Sequence, residues 1–194
     1  MKTPLLLLAL ALTSAGCTCC QPAPPGDASA ASGNHTIFLF SRDADLRGWE
    51  VQDDVVMGGV SQGKLALNEA GNAVFSGNVS LENDGGFSSI QYGFDPVDAS
   101  KYSAVYIGLK GDGKRYQLRV ESEKNAPHGY ACDFDTTGDW QVVRIPFADM
   151  YAIHHGDRLD LPNHPGQTLA HVQILIGNGK AEAFRLEIDK LWVK

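Results

Sequence analysis

From residue 36 onward apolar and polar side chains alternate with a period of two. This is the pattern of strands that bury one face, because successive side chains of an extended chain point to opposite sides. The alternation predicts strands at 36–40, 64–67, 73–80, 86–94, 104–110, 115–121, 129–135, 141–146, 171–176 and 183–193. Val105, Ile107 and Leu109 share one face of the run 104–110. In 115–121 Tyr116, Leu118 and Val120 do the same, with Gln117, Arg119 and Glu121 opposite. Gly111, Asp112, Gly113 and Lys114 join these two runs, and an Asp-Gly pair between alternating segments favours a tight hairpin, since glycine accepts positive φ at small steric cost. Helical periodicity is nearly absent. Many short strands separated by Gly, Asp, Asn and Pro clusters imply an all-β fold of two packed antiparallel sheets, a β-sandwich or jelly roll. The stretch 151–167 breaks the alternation with His154, His155, Pro162, His164 and Pro165, and reads as a long loop at one end of the sandwich.

The first residues carry a different pattern: Lys2, an apolar run over 5–12, then Ser14, Ala15 and Gly16 ahead of Cys17. This is the layout of a secretory signal peptide over 1–16. Its apolar run is far short of the ~20 residues that a membrane-spanning helix needs. Small residues directly before a cysteine resemble a bacterial lipobox, with Ser14 where most lipoboxes have Leu. Lipidation of Cys17 is therefore expected, with plain cleavage after Gly16 as the alternative. Acyl chains on Cys17 would anchor the protein to the cell envelope without spanning a membrane. Thr18, not Asp, follows the cysteine, which points to the outer membrane facing the periplasm if the host is diderm. Residues 17–34 are rich in Pro, Ala, Ser and Gly and read as a flexible tether to a domain over 35–194.

Removing residues 1–16 takes away one of the 16 basic residues and none of the 23 acidic ones, so the net charge moves from −7 to −8. Such a surface argues against nucleic acid as a partner. Cys132 is the only cysteine within 35–194. A disulfide framework and a four-cysteine zinc site are thereby excluded from the domain, and Cys132, in an alternating segment, reads as a small buried hydrophobe. No cofactor is expected.

Short motifs cluster between residues 53 and 64. Gly58, Gly63 and Lys64 fit most of a phosphate-binding P-loop, but Leu65 stands where the magnesium-binding hydroxyl belongs and a strand pattern follows instead of a helix. Gly59, Ser61 and Gly63 also spell a nucleophile elbow, with Asp133 and His154 following in the order used by α/β-hydrolases, which keeps a Ser61-dependent esterase as an alternative. His128, His154, His155 and His164 invite a zinc reading against one of solvent-exposed loop histidines. Asp53 and Asp54, with Asp43 and Asp45 upstream, invite a calcium reading against one of turn-forming acids. Trp49, Tyr130 and Trp140 suit the flat-ring recognition of sugars, or simple core packing. The segment from Asp53 to Ser61 is expected to form the main binding surface. Gly58 and Gly59 would allow close backbone approach, Met57 would offer an adaptable apolar contact, and Asp53 and Asp54 would flank it with charge. Its alternative is a loop that only closes the sandwich end.

Trp49 with Asp53, Asp54, Val56, Met57, Gly58, Gly59 and Ser61 resembles the opening of the complex I intermediate-associated protein 30 family. FSGNVSLENDGGFSSI over 75–90, GDGKRYQLRV over 111–120, DWQVVRIPFADM over 139–150 and the closing FRLEIDKLWV resemble that family in the same order, covering roughly 37–192. The resemblance implies a galactose-binding-like jelly roll without established catalytic residues. It also implies a role like that of the mitochondrial members, which act as assembly factors for respiratory complex I. An exported address departs from theirs. The leading expectation is a non-enzymatic, assembly-factor-like binding module of the envelope, whose partner is an envelope or respiratory-complex protein, or a glycan. A carbohydrate-binding module is the alternative.

Overall fold

The computed structural model describes residues 33–123 and 126–194, except for the side chains of Val56 and Met57. The expected signal peptide, Cys17 and the expected tether through residue 32 lie outside the described residues. Thirteen strands follow in order: β1 His35–Leu39, β2 Trp49–Asp53, β3 Gln62–Leu67, β4 Ala73–Val79, β5 Ser88–Asp98, β6 Ala104–Lys110, β7 Arg115–Glu121, β8 Gly129–Asp135, β9 Trp140–Pro146, β10 Tyr151–His154, β11 Asp157–Arg158, β12 Thr168–Ile176 and β13 Glu182–Val193.

They form two antiparallel sheets. One runs β3-β4-β13-β6-β9, with β1 also on β13; the other runs β11-β10-β8-β7-β12-β5-β2. Strand β13 organises the first sheet. Its residues 182–188 pair with β4 and 190–193 with β1, while β6 takes the other edge. The register slips at Asp189, whose carbonyl accepts the amide of Phe40 at 2.9 Å. The inner faces meet in one core. Phe75, Ile107, Leu109, Ile145, Leu186 and Ile188 come from the first sheet, and Ile90, Tyr116, Leu118, Phe134, Val172 and Ile174 from the second. Cys132 is buried among them, as its alternating context predicts. The jelly-roll sandwich expected from the alternation is the fold observed.

Three local expectations need correction. Residues 111–114 do not close a hairpin: β6 pairs with β13 and β9 in one sheet, while β7 pairs with β12 and β8 in the other. Both edges of β6 are occupied, so the chain crosses between layers at this turn. Asp112 anchors it by accepting the hydroxyl of Tyr116 at 3.2 Å and the amide of Arg185 at 2.8 Å. Strand β2 is an edge strand that the alternation did not mark. The stretch 151–167 is not wholly loop either, for it contributes β10 and β11, which extend the second sheet beyond β8.

Candidate functional site

The segment 53–61 lies where the edges of the two sheets meet, because β2 ends one sheet and β3 the other. Asp54 opens a 3-10 turn, Asp54–Met57, that Gly58 closes in the left-handed region at φ 88°. Asp54 is almost fully buried, and so is Ser61. The Asp54 carboxylate accepts the Ser61 hydroxyl at 2.5 Å and its amide at 3.0 Å, together with the amides of Gly86 at 2.6 Å and Phe87 at 3.2 Å. Burial is the largest single influence on its pKa and raises it. The hydrogen bonds from Ser61, Gly86 and Phe87 together outweigh burial and hold the carboxyl below its ordinary value. Asp53 accepts the Ser88 hydroxyl at 2.6 Å and the amide of Gly63 at 3.0 Å. A Cβ on Gly59 would run into the Asp54 carboxylate. Asp53, Asp54, Gly59 and Ser61 thus staple one sheet edge to the other. Asp54, expected to flank a binding surface with charge, is buried by its donors. Gly58 is exposed, and the side chain of Met57 is outside the described residues.

The other motifs come apart in the same way. Ser61 donates to Asp54 and accepts the amide of Ser80 at 2.9 Å, while Asp133 accepts from Gln117 and the His154 ring lies 4.1 Å from that of His155. The Ser61 hydroxyl is therefore committed to structure and has no imidazole partner among the described residues, which removes the elbow reading. Lys64 lies within strand β3, so no P-loop forms. The four histidines do not act as one group of exposed loop residues: His164 is buried against Tyr130 and Phe147, while His154 and His155 are exposed. Among the described residues no three or more His, Cys, Asp or Glu gather where a metal ion could sit. Trp49 is buried with Phe38, Phe40 and Tyr92, Tyr130 lies four strands away on β8, and Trp140 is exposed on the other sheet. These three rings do not form a platform.

A different constellation emerges on the outer face of the seven-stranded sheet. Strand register aligns Tyr151, Ala131, Arg119, Gln173, Gln91 and Glu50 in one row across β10, β8, β7, β12, β5 and β2. Their neighbours Leu118, Val120, Cys132, Ile174 and Ile90 fill the core, so alternation turns the row outward. Ala131 and Ser89 are nevertheless fully buried on this outward side, so longer side chains close over a shallow trough. Gln117 braces one end of it. Its Nε2 donates to Asp133 at 2.8 Å and to the Tyr151 hydroxyl at 3.0 Å, while its Oε1 accepts Arg119 Nε at 2.6 Å. The guanidinium of Arg158 lies 4.7 Å over the Tyr151 ring. At the other end Gln91 donates to Glu50 at 3.2 Å and Gln173 to Ser89 at 2.9 Å. A cavity of about 500 Å³ opens there, with Glu50, Gln91, Phe94, Asp95, Glu123 and His171 in its wall. Burial lowers the pKa of Arg119, against the raising pull of Tyr151, Asp133 and Glu121. Burial raises that of Tyr151. The alternation had already put Gln117, Arg119 and Glu121 on one face, but a period of two cannot tell open surface from a trough.

Known proteins give this arrangement a context. A family 11 carbohydrate-binding module of the cellulosomal cellulase Lic26A-Cel5E of Clostridium thermocellum superposes with a TM-score of 0.57 at 17% identity, over 84% of this chain and 95% of the module. The family 11 module from Clostridium thermocellum solved with a β-1,3-1,4-mixed-linked tetrasaccharide gives 0.58 at 15% identity, over 84% and 96%. The agarase AgWH50C gives 0.58 at 9% identity over 84% of this chain but 24% of the enzyme. At these identities the likeness is one of fold. No curated protein matches the sequence. The family model for complex I intermediate-associated protein 30 matches residues 38–188, and the chain belongs to that family.

Proposed function

We propose that the chain is a non-catalytic binding module that takes an oligosaccharide along the outer trough of its seven-stranded sheet. The observation that carries this reading is the cross-strand row from Tyr151 to Glu50, in which amides, a carboxylate, a guanidinium and a ring share one face beside a cavity. Sugar hydroxyls need donors and acceptors at fixed spacing, and the strands hold the side chains of the row about 4.8 Å apart. The tetrasaccharide complex of the family 11 module supports the same reading by likeness of fold. Calorimetric titration with mixed-linked glucan, xylan and galactan tetrasaccharides tests it. At least one should bind, and Gln91→Ala with Gln173→Ala should weaken binding about tenfold while stability stays within about 1 kcal/mol. Absence of any sugar binding, or binding indifferent to the double variant, would overturn it.

A second reading follows the family name and gives the module a protein partner, an envelope or respiratory-complex protein. Val55 and Val60 are exposed on the segment 53–61, and Leu81 is exposed on the neighbouring turn, whose Asn83 donates to the Gly58 carbonyl at 3.0 Å. Such a cluster of apolar side chains suits protein contact more than sugar contact. Under either reading we place the module in the cell envelope, held by acyl chains on Cys17.

A further inference from the structure

Arg119 stands in the middle of the row with only its Nε hydrogen-bonded among the described residues. Its Nε is fixed by Gln117, which Asp133 and the Tyr151 hydroxyl hold in turn. Among the described residues no carboxylate lies within ion-pairing distance of its guanidinium, and its two Nη groups make no hydrogen bond. A partly buried charge ordinarily gains a partner that offsets its lost hydration. Asp133 could have served, yet it accepts the Gln117 amide instead, so a neutral side chain orients the arginine and its two Nη groups keep no hydrogen-bond partner among the described residues.

Charge is also divided along the row. Arg119 and Arg158 lie towards the β7–β10 end, where Asp133 is engaged by Gln117 and Glu121 also acts on Arg119, whereas Glu50, Asp95 and Glu123 surround the cavity at the β2–β5 end. An acidic ligand spanning the whole row would meet those three carboxylates. One with a single acidic group at one end would not. Three strand spacings separate Arg119 from Glu50, about 14 Å, which is room for about three sugar rings in line.

Resting on the oligosaccharide reading above, we infer that the ligand is a glycan bearing one uronic acid, whose carboxylate docks on the Arg119 fork while its neutral sugars lie over Gln173, Gln91 and Glu50. A planar guanidinium matches a carboxylate with two parallel hydrogen bonds, which an ammonium cannot reproduce. Gln117 acts here as a positioning residue that aims the fork.

The test compares a xylotetraose carrying one glucuronic acid with the same compound after reduction of its carboxyl to an alcohol, each titrated into the full chain. The acid should bind about tenfold more tightly or better, as expected for a charge-assisted hydrogen-bonded pair, and added salt should reduce the difference. Arg119→Gln should abolish the preference between the two compounds, and Arg119→Lys should keep only a small part of it. Should Arg119→Gln fail to fold, the acid and alcohol pair on the unaltered chain, with Arg119→Lys, still decides. Equal affinity for the two compounds would overturn the carboxylate assignment and leave the oligosaccharide reading standing. Binding of neither would overturn the carboxylate assignment, and failure of the mixed-linked glucan, xylan and galactan tetrasaccharides as well would overturn the oligosaccharide reading. Binding of an oligoglutamate peptide in their place would assign the trough to an acidic protein segment.

Discussion

His164 sits between the rings of Tyr130 and Phe147, with centroids 4.7 and 4.9 Å away, and its Nδ1 accepts the amide of Gly166 at 2.9 Å. A histidine in a proline-bearing stretch reads from sequence as a solvated loop residue. Residue pattern cannot show that the stretch folds back, with the His164 amide donating to the Met150 carbonyl at 2.9 Å. Burial pushes its pKa down to about 4 from 6.5. Between those values the unfolded chain holds a proton at this site that the folded chain does not, so stability falls as pH drops through the window and levels off below it. The full effect is about 3 kcal/mol, taking about 1.4 kcal/mol for each pH unit. Urea unfolding at pH 4.5, 5.5, 6.5 and 7.5 should therefore show a steeper loss on acidification for the wild type than for His164→Gln. Parallel curves would mean that the imidazole is already hydrated in the folded chain.

At the scale of elements, β6, β7 and β8 were legible to the residue, because each buries one face of an alternating run. What alternation leaves open is which strands are neighbours. The Asp112-Gly113 turn has hairpin chemistry, with Gly113 at φ 78°, yet it spans the two layers because a short turn serves either purpose. Strand β2 escaped notice since it is five residues long, lies at an edge and leaves Val51 exposed. Asp53 and Asp54, legible as a charged pair beside glycines, are anchors at the meeting of two sheet edges, a fact that depends on Ser61, Gly86 and Phe87 arriving from elsewhere in the chain. Asp54→Asn tests this role. An amide presents a donor where the carboxylate accepted, so at least one of the buried amides of Ser61, Gly86 or Phe87 loses its partner. The cost should be about 2–4 kcal/mol in chemical unfolding. Amide hydrogen exchange should quicken first along β3, the edge strand that this staple secures. A variant as stable as wild type would show that water replaces the carboxylate and that the segment is free to serve a partner.

At the scale of the whole molecule, the sandwich carries its polar trough on one sheet and its exposed Val55, Val60 and Leu81 near the other sheet edge, so the surfaces proposed for sugar and for protein contact draw on different residues. The anchor proposed at Cys17 would need more than one acyl chain, because one chain holds a protein only reversibly and two or more make attachment stable. In the native host the wild-type chain should fractionate with membranes and Cys17→Ser with the soluble fraction, and mass spectrometry of the wild-type N-terminus should find acylated Cys17. The released Cys17→Ser protein should bind oligosaccharide with unchanged affinity, since the row from Tyr151 to Glu50 is built within the described residues. Recovery of the wild type as a soluble protein beginning at an unmodified Cys17 would instead make it a secreted module, diffusing to its ligand rather than waiting for it at a membrane.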